Sequence, residues 1–498
     1  MTSSSQALPS LRARFARGAF WSLLGMGIAQ GLALVAAIIT ARLLGKVAFG
    51  EFGMVTGTVG AFGILAGLGL GLTATKYVAE HRSTDPVRAG RILGLSTQVA
   101  AVSGGTVALV LFLLAPWLAA RTLNAPHLAD ELRIGCLLLF LNALDGMQTG
   151  ALAGLEAFKA TAQVSLLRGL LTFPVLIAGV WLFGLFGAVA STVLLGALGW
   201  MMNQIALRRE CARAGIVINY RGTRSDLPIL WQFSLPAFLS AAMVAPVIWL
   251  ANTVVAHQPG GYGELGLFNA ASQWRTALMF LPSVLLRVAL PLMASSVDTD
   301  RSDEFGKTLL LTQSLTVAIV LPIGALLMFL ADWIMRFYGR EFAHGAPVLI
   351  GVISSIMISS IGGAAGAAIE ARGRMWRGLI LNLSWGAVLI TIVWFTAPSW
   401  GAQSLAFGSA IAYLVLSLWG FLYVASDLPV GMLSRLFWTL GFTLLLTAGC
   451  VLLPAGFRTF LAVPVALVTG ALTLLVFVDR SVRRAVLQRA RGQLQEIW

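Results

Sequence analysis

The sequence predicts an all-α polytopic membrane protein with about 14 transmembrane helices, arranged as two six-helix lobes and two extra C-terminal helices. The composition supports this class, because 58 % of the residues are hydrophobic, 11 % are charged and the mean hydropathy is +0.87. Fourteen apolar stretches are each long enough to cross a hydrocarbon core, which needs about twenty residues per helix. A spanning segment must satisfy its own peptide groups, so we expect helices.

The distribution of basic residues gives the expected orientation. Arg12, Arg14 and Arg17 precede the first span, and a cytoplasmic N-terminus places 24 of the 34 Lys and Arg residues in cytoplasmic segments. This asymmetry follows the positive-inside rule, predicts that both termini are cytoplasmic, and explains the net charge of +14 without a nucleic-acid partner. The predicted spans are 18–40, 52–75, 92–115, 132–154, 164–183, 185–207, 231–255, 267–292, 308–331, 346–369, 379–397, 402–425, 436–454 and 460–478.

Two short motifs recur at nearly the same offset. Phe49–Met54 (FGEFGM) matches Tyr262–Leu267 (YGELGL) 213 residues later, and Gly154–Ala157 matches Ala368–Ala371 214 residues later. The repeat predicts lobes at 1–230, including a linker, and at 231–430, related by an axis along the membrane normal. Residues 431–498 would add two helices and a basic amphipathic tail. The repeated Glu51 and Glu264 indicate an architectural role.

Polar residues inside the eighth span are the best candidates for a binding site. A polar stripe this long predicts a cavity wall, and a guanidinium beside it matches the oxygens of a phosphate. In the alternative interpretation, the side chains of Arg275 and Arg287 extend their charged groups to the water at the span ends. The residues are Asn269, Ser272, Gln273, Thr276, Ser283 and Arg287 on one face, with Arg275 flanking it.

The fourth span carries Asn142, Asp145 and Thr149 on one face. Asp145 could be a proton or sodium site, a counter-ion to an arginine, or part of a hydrogen-bond clamp between helices. We expect Arg168 to extend to its span end, and Gln30 is a further cavity candidate. The second-span glycines predict close helix packing: Gly53, Gly57, Gly60, Gly63, Gly67 and Gly71.

The N-terminal motifs resemble those of a known transporter family. Ile39–Gly45 (ITARLLG), Phe49–Gly53 (FGEFG), Gly67–Gly71 (GLGLG) and Tyr77-Val78 are similar to the start of Wzx-type polysaccharide flippases of the MOP superfamily. The resemblance implies alternating access and transport of an undecaprenyl-diphosphate-linked oligosaccharide across the bacterial inner membrane. This oligosaccharide would be the repeat unit of a lipopolysaccharide or an exopolysaccharide. Expected partners are membrane lipid and this cargo, and could include polysaccharide assembly proteins.

Two other function classes stay open at this point. A MATE-like multidrug exporter would require cavity carboxylates for cationic drugs, whereas the span interiors offer three arginines and one clear carboxylate, Asp145. A membrane glycosyltransferase or polymerase would need a sizeable external loop, and the longest ones, 121–130 and 332–345, are short. We therefore predict a transporter that is not an enzyme and has no cofactor, with H⁺ or Na⁺ as the expected type of coupling ion.

Overall fold

The computed structural model describes residues 11–230, 234, 244–298, 302–371, 375–424 and 432–477, and every regular element among them is helical. The C-terminal tail predicted to be amphipathic lies outside the described residues. The helices are α1 Leu11–Gly67, α2 Leu70–His81, α3 Pro86–Trp117, α4 Ala129–Gly154, α5 Phe158–Arg213, α6 Val244–Ala256, α7 Gly261–Asp298, α8 Ser302–Phe329, α9 Ala331–Phe337, α10 Ala346–Ala371, α11 Met375–Trp400, α12 Ala402–Val424, α13 Met432–Leu452 and α14 Ala455–Phe477.

The prediction of an all-α polytopic membrane protein is confirmed. Within the described residues, ten helices are long and apolar enough to cross a membrane. The segments in α1 and α5 measure 41 and 56 residues. The first contains parts of two predicted spans, and the second contains two predicted spans completely. The exact number of fourteen spans stays a prediction.

Glycines break the two longest helices where the sequence separates successive spans. Gly45 interrupts α1 with φ 76°, and Gly184 interrupts α5 with φ 59°. A left-handed backbone costs little only for a residue without Cβ, so these positions require glycine. Gly260 (φ 70°) and Gly401 (φ 50°) stand in the same way before α7 and α12. The recurrence of left-handed glycines before corresponding spans supports the internal repeat.

The chain divides into two compact units. Unit 1 contains residues 1–43 and 54–245, and unit 2 contains residues 44–53 and 246–498. The segment Leu44–Gly53 therefore packs with unit 2, although it comes from α1. The predicted division at residues 230 and 430 stays a prediction.

Helices α2, α3, α4 and α5 build the core of unit 1. The α2–α4 crossing is close because a Cβ on Gly150 would collide with the backbone of Gly71, and Thr75 Oγ1 donates to the Gly150 carbonyl at 2.9 Å. At four other second-span glycines, the predicted close packing is not found among the described atoms. An added Cβ would meet no described atom within 4 Å at Gly57, Gly60, Gly63 or Gly67.

The linker after α5 returns to the start of α3. Asn219 N donates to the Gly90 carbonyl at 3.1 Å, and the glycine leaves room for the linker backbone. Further along, the buried Asp226 lies 3.4 Å from both Arg88 Nε and Arg91 Nε. Backbone packing and two ion pairs thus fix the linker on α3.

Helix α10 is the centre of unit 2, where α12, α7, α8 and α13 pack around it. Glu264 Oε2 accepts from Ala402 N at 2.8 Å, so its carboxylate satisfies the N-terminus of α12, in agreement with an architectural role. Arg458 pairs with Asp332 at 2.9 Å and thereby joins α14 to α9. The predicted external loop 332–345 is itself mostly helical, through α9 and a 3₁₀ segment, Arg340–Gly345.

Candidate functional site

Helix α7, the predicted eighth span, carries the polar stripe and is 38 residues long. Its described part is not among the ten helices that are long and apolar enough to cross a membrane. Asn269, Ser272 and Gln273 are half-buried, whereas Thr276 and Ser283 are exposed. The polar stripe is therefore accessible along much of its length and is not sealed in the core of unit 2.

Arg275 is held by an aromatic residue of α12. Its Nη2 donates to the Tyr413 hydroxyl at 3.0 Å, and its guanidinium carbon lies 5.7 Å from the centroid of that ring. Tyr413 packs in turn on Trp385 of α11, with ring centroids 5.3 Å apart. No described residue gives Arg275 a carboxylate partner. The guanidinium is thus half-buried, oriented and, in the part of the chain that the structure describes, without a neutralising charge.

The other predicted binding residues of α7 are less constrained. The Asn269 side chain lies against Gly53 of the segment Leu44–Gly53, where a Cβ would collide with it. Among the described contacts, Asn269, Gln273 and Thr276 make no side-chain hydrogen bond. The side chain of Arg287 lies outside the described residues. The structure thus brings Arg275 and Tyr413 together, but it does not join the whole stripe into one network.

In unit 1, Asp145 is the centre of a polar cluster. Asp145 Oδ1 accepts from Asn203 Nδ2 at 2.8 Å, and Oδ2 pairs with Arg168 Nη1 at 3.1 Å. Asn203 also approaches Thr149 Oγ1 at 3.4 Å. Nearby, the buried Gln148 amide lies 2.5 Å from the Gln204 side-chain oxygen. The cluster joins α4 to both halves of α5.

The expectation that Arg168 extends to its span end is wrong. Its guanidinium turns toward Asp145 and packs over Gly199, whose missing side chain leaves the space. A carboxylate in the same apolar layer stabilises the guanidinium more than a distant water interface does, because both charges are poorly solvated there. Arg168 and Asp145 therefore form an ion pair within the protein.

Asn142 and Gln30 lie apart from this cluster. Asn142 is exposed and lines a cavity of about 260 Å³ together with Gly146 and the broken end of the second span, including Gly67 and Gly69. Gln30 is half-buried on α1, and it has no hydrogen-bond partner among the described residues. The sequence grouped Asn142 with Asp145 by helical face, but the contacts of Asp145 run to α5.

Sequence reasoning missed Tyr413, Trp385 and Asn203. An amide in the predicted sixth span was a usable signal for Asn203, because such a group needs a partner in lipid. No local pattern marks Tyr413, since aromatic residues are common in spans and its partner is 138 residues away. Within the described residues, no group of His, Cys, Asp and Glu could hold a metal ion.

Comparison with known proteins agrees with this architecture. The family model described as "Polysaccharide biosynthesis protein" matches residues 15–297, more than half of the chain. A curated relative is the EPS I polysaccharide export inner membrane protein EpsE of Ralstonia nicotianae. It is 24 % identical over 437 residues, which cover 84 % of this chain and 95 % of the relative.

Two solved structures share the fold at low sequence identity. A multidrug resistance MATE family transporter of the MOP superfamily, in an inward-facing conformation, matches with TM-score 0.70 and 17 % identity over 82 % of this chain and 96 % of the other. The lipid II flippase MurJ matches with TM-score 0.66 and 14 % identity over 95 % and 100 %. These relatives are an export protein, a transporter and a flippase, in agreement with the prediction of a non-enzymatic protein. The chain belongs to the polysaccharide biosynthesis protein family, as a multi-pass membrane protein with the fold of the MOP superfamily.

Proposed function

We propose that this protein moves an undecaprenyl-diphosphate-linked oligosaccharide across the bacterial inner membrane by alternating access. The cargo would be a repeat unit of lipopolysaccharide or exopolysaccharide. The relative named as a polysaccharide export protein supports the substrate class, and the fold shared with a lipid II flippase supports the type of transport.

The observation that carries the proposal is the state of Arg275. A half-buried guanidinium without a carboxylate partner is costly inside a membrane, and it becomes favourable when an anion binds. Its planar fork matches two oxygens of a diphosphate. The polar face of α7 beside it, with Asn269, Gln273 and Thr276, would contact the glycan through hydrogen bonds, with Arg287 and Gln30 as further candidates.

A multidrug exporter is the weaker alternative. A cationic drug would need a free carboxylate, but Asp145 already accepts from Arg168 and Asn203. A cation would have to displace an arginine from this cluster. The charge arrangement of the described spans therefore favours an anionic cargo.

The test is glycan export in a strain that lacks its native flippase. Arg275→Ala should lower apparent affinity for the cargo roughly ten- to a hundredfold, since a charge-assisted hydrogen bond contributes about 1.5–3 kcal/mol. Arg275→Lys should restore only part of it, because an ammonium keeps the charge but lacks the planar fork. Normal export by Arg275→Ala at equal protein abundance would refute the assignment.

Arg377→Ala is the matched control for this experiment. Arg377 is exposed near the start of α11, and its guanidinium lies 4.6 Å from the ring centroid of Tyr423 on α12. It thus resembles Arg275 in its arginine–tyrosine contact, but it lies at a helix end instead of beside the polar stripe. Export by Arg377→Ala should stay close to the wild-type level.

The orientation is proposed from the charge asymmetry. Both termini and the linker after α5 would be cytoplasmic. Reporter fusions after Trp498 and within 208–224 should be active only on the cytoplasmic side. A C-terminal reporter active only outside would contradict the proposed orientation.

A further inference from the structure

Tyr413 makes the one hydrogen bond that the described residues give to Arg275. The donor–acceptor distance is 3.0 Å, whereas the guanidinium carbon is 5.7 Å from the ring centroid, close to the limit of a cation–π contact. The hydroxyl, more than the ring face, therefore sets the direction of the guanidinium.

The ring of Tyr413 is itself held in place by packing against Trp385. Trp385 is only 3 % exposed, and its ring packs on Tyr413 at an interplanar angle of 37°. A buried indole has few rotamers available, so it limits the positions that the tyrosine ring can take. Trp385 on α11, Tyr413 on α12 and Arg275 on α7 thus form a row across three helices of unit 2.

We propose that Tyr413 is a positioning residue that pre-orients Arg275 for the diphosphate of the cargo. This inference rests on the proposed function. The guanidinium has five N–H donors, and the bond to Tyr413 occupies one of them on Nη2. Nη2 keeps a second hydrogen, so one pair of parallel N–H donors, Nε with Nη2 or Nη1 with Nη2, stays available for a two-point contact with phosphate oxygens. Without the tyrosine hydroxyl, the ligand must itself order a long and flexible side chain.

The direct test measures binding of undecaprenyl diphosphate to the full-length protein in lipid nanodiscs. Tyr413→Phe keeps the ring and removes the acceptor, so the dissociation constant should rise about two- to tenfold, the cost of ordering one flexible side chain. Binding of undecaprenol, which lacks the diphosphate, should not change. Tyr413→His, which keeps a ring and restores an acceptor, should recover part of the loss.

Tyr423→Phe is the matched control on the same helix. The Tyr423 ring also lies against an arginine, but its hydroxyl is buried without a hydrogen-bond partner among the described residues. The same substitution at this position therefore removes no acceptor that an arginine uses. Affinity for undecaprenyl diphosphate should stay unchanged.

A double-mutant cycle separates positioning from a general structural role. If Tyr413 acts through Arg275, Tyr413→Phe should have no further effect on binding in the Arg275→Ala background. An equal loss in both backgrounds would overturn the positioning role. Wild-type binding by Arg275→Ala would overturn the proposed site itself. Weakened binding by Arg275→Ala together with normal binding by Tyr413→Phe would overturn only the inference about the tyrosine.

Discussion

Arg168 in unit 1 and Arg275 in unit 2 both lie inside predicted spans, and the two arginines have different partners. Arg168 in unit 1 pairs with Asp145, whose other oxygen accepts from Asn203. Arg275 in unit 2 donates to the neutral hydroxyl of Tyr413 and has no carboxylate among the described residues. The first charge is compensated inside the protein, whereas the second is oriented but not compensated.

This difference separates a structural from a ligand-binding arginine. A paired guanidinium contributes to the folded state, and removing one partner leaves a poorly solvated charge. An unpaired guanidinium costs free energy until an anion arrives, so its contribution is expected in binding. The comparison predicts that variants of the Arg168–Asp145 pair lose mainly stability, whereas variants of Arg275 lose mainly cargo binding.

The largest effect on stability is expected for Asp145→Ala. It leaves Arg168 without a counter-ion, and breaking a buried pair costs up to about 3–5 kcal/mol, with the lower value appropriate here because the Arg168 side chain is 34 % exposed. Thermal unfolding in detergent should show a clearly lower Tm and reduced abundance in the membrane. A Tm equal to that of the wild type would contradict the structural role of the pair.

A double replacement of the pair should recover much of this loss. Asp145→Leu combined with Arg168→Met removes both charges and keeps an apolar volume, which is often tolerated in a protein interior. Its Tm should lie well above that of Asp145→Ala. The same variant tests ion coupling at Asp145: if export by the folded double variant still responds to the H⁺ or Na⁺ gradient, Asp145 is not the coupling site.

Arg275→Ala should change stability much less than Asp145→Ala. It removes a single charge-assisted hydrogen bond, worth about 1.5–3 kcal/mol, and this loss is offset because it also removes a charge without a described counter-ion. Its Tm should stay close to the wild-type value while undecaprenyl diphosphate no longer raises that Tm. A loss of stability as large as that of Asp145→Ala would erase the contrast between the two arginines.

The smallest effect on stability is expected for Thr276→Ala. Thr276 is exposed on α7 and makes no hydrogen bond among the described residues, so its replacement should stay within about 0.5 kcal/mol. Any loss of glycan export by this variant would therefore report on cargo contact. Ser283→Ala is a suitable comparison, because the Ser283 hydroxyl already bonds to the Phe280 carbonyl of its own helix.

The sequence by itself determined the class of the protein, most of its span positions and the polar character of α7. These features depend on local composition, because each spanning segment must be largely apolar to be stable in a membrane. Glycines at the breaks between spans are likewise visible in the local sequence. The break at Gly184 lies between the predicted fifth and sixth spans, so local composition was sufficient to place this boundary.

Only the tertiary structure decided the partners of the charged residues. Helical periodicity places Asp145 on a face of α4, but it cannot show that Arg168 and Asn203, 23 and 58 residues away, meet it there. Periodicity likewise cannot show that Tyr413 reaches Arg275, or that Gly57, Gly60, Gly63 and Gly67 make no close contact with described atoms. Such contacts depend on which helices pack side by side and at what distance, and one segment of sequence does not contain that information.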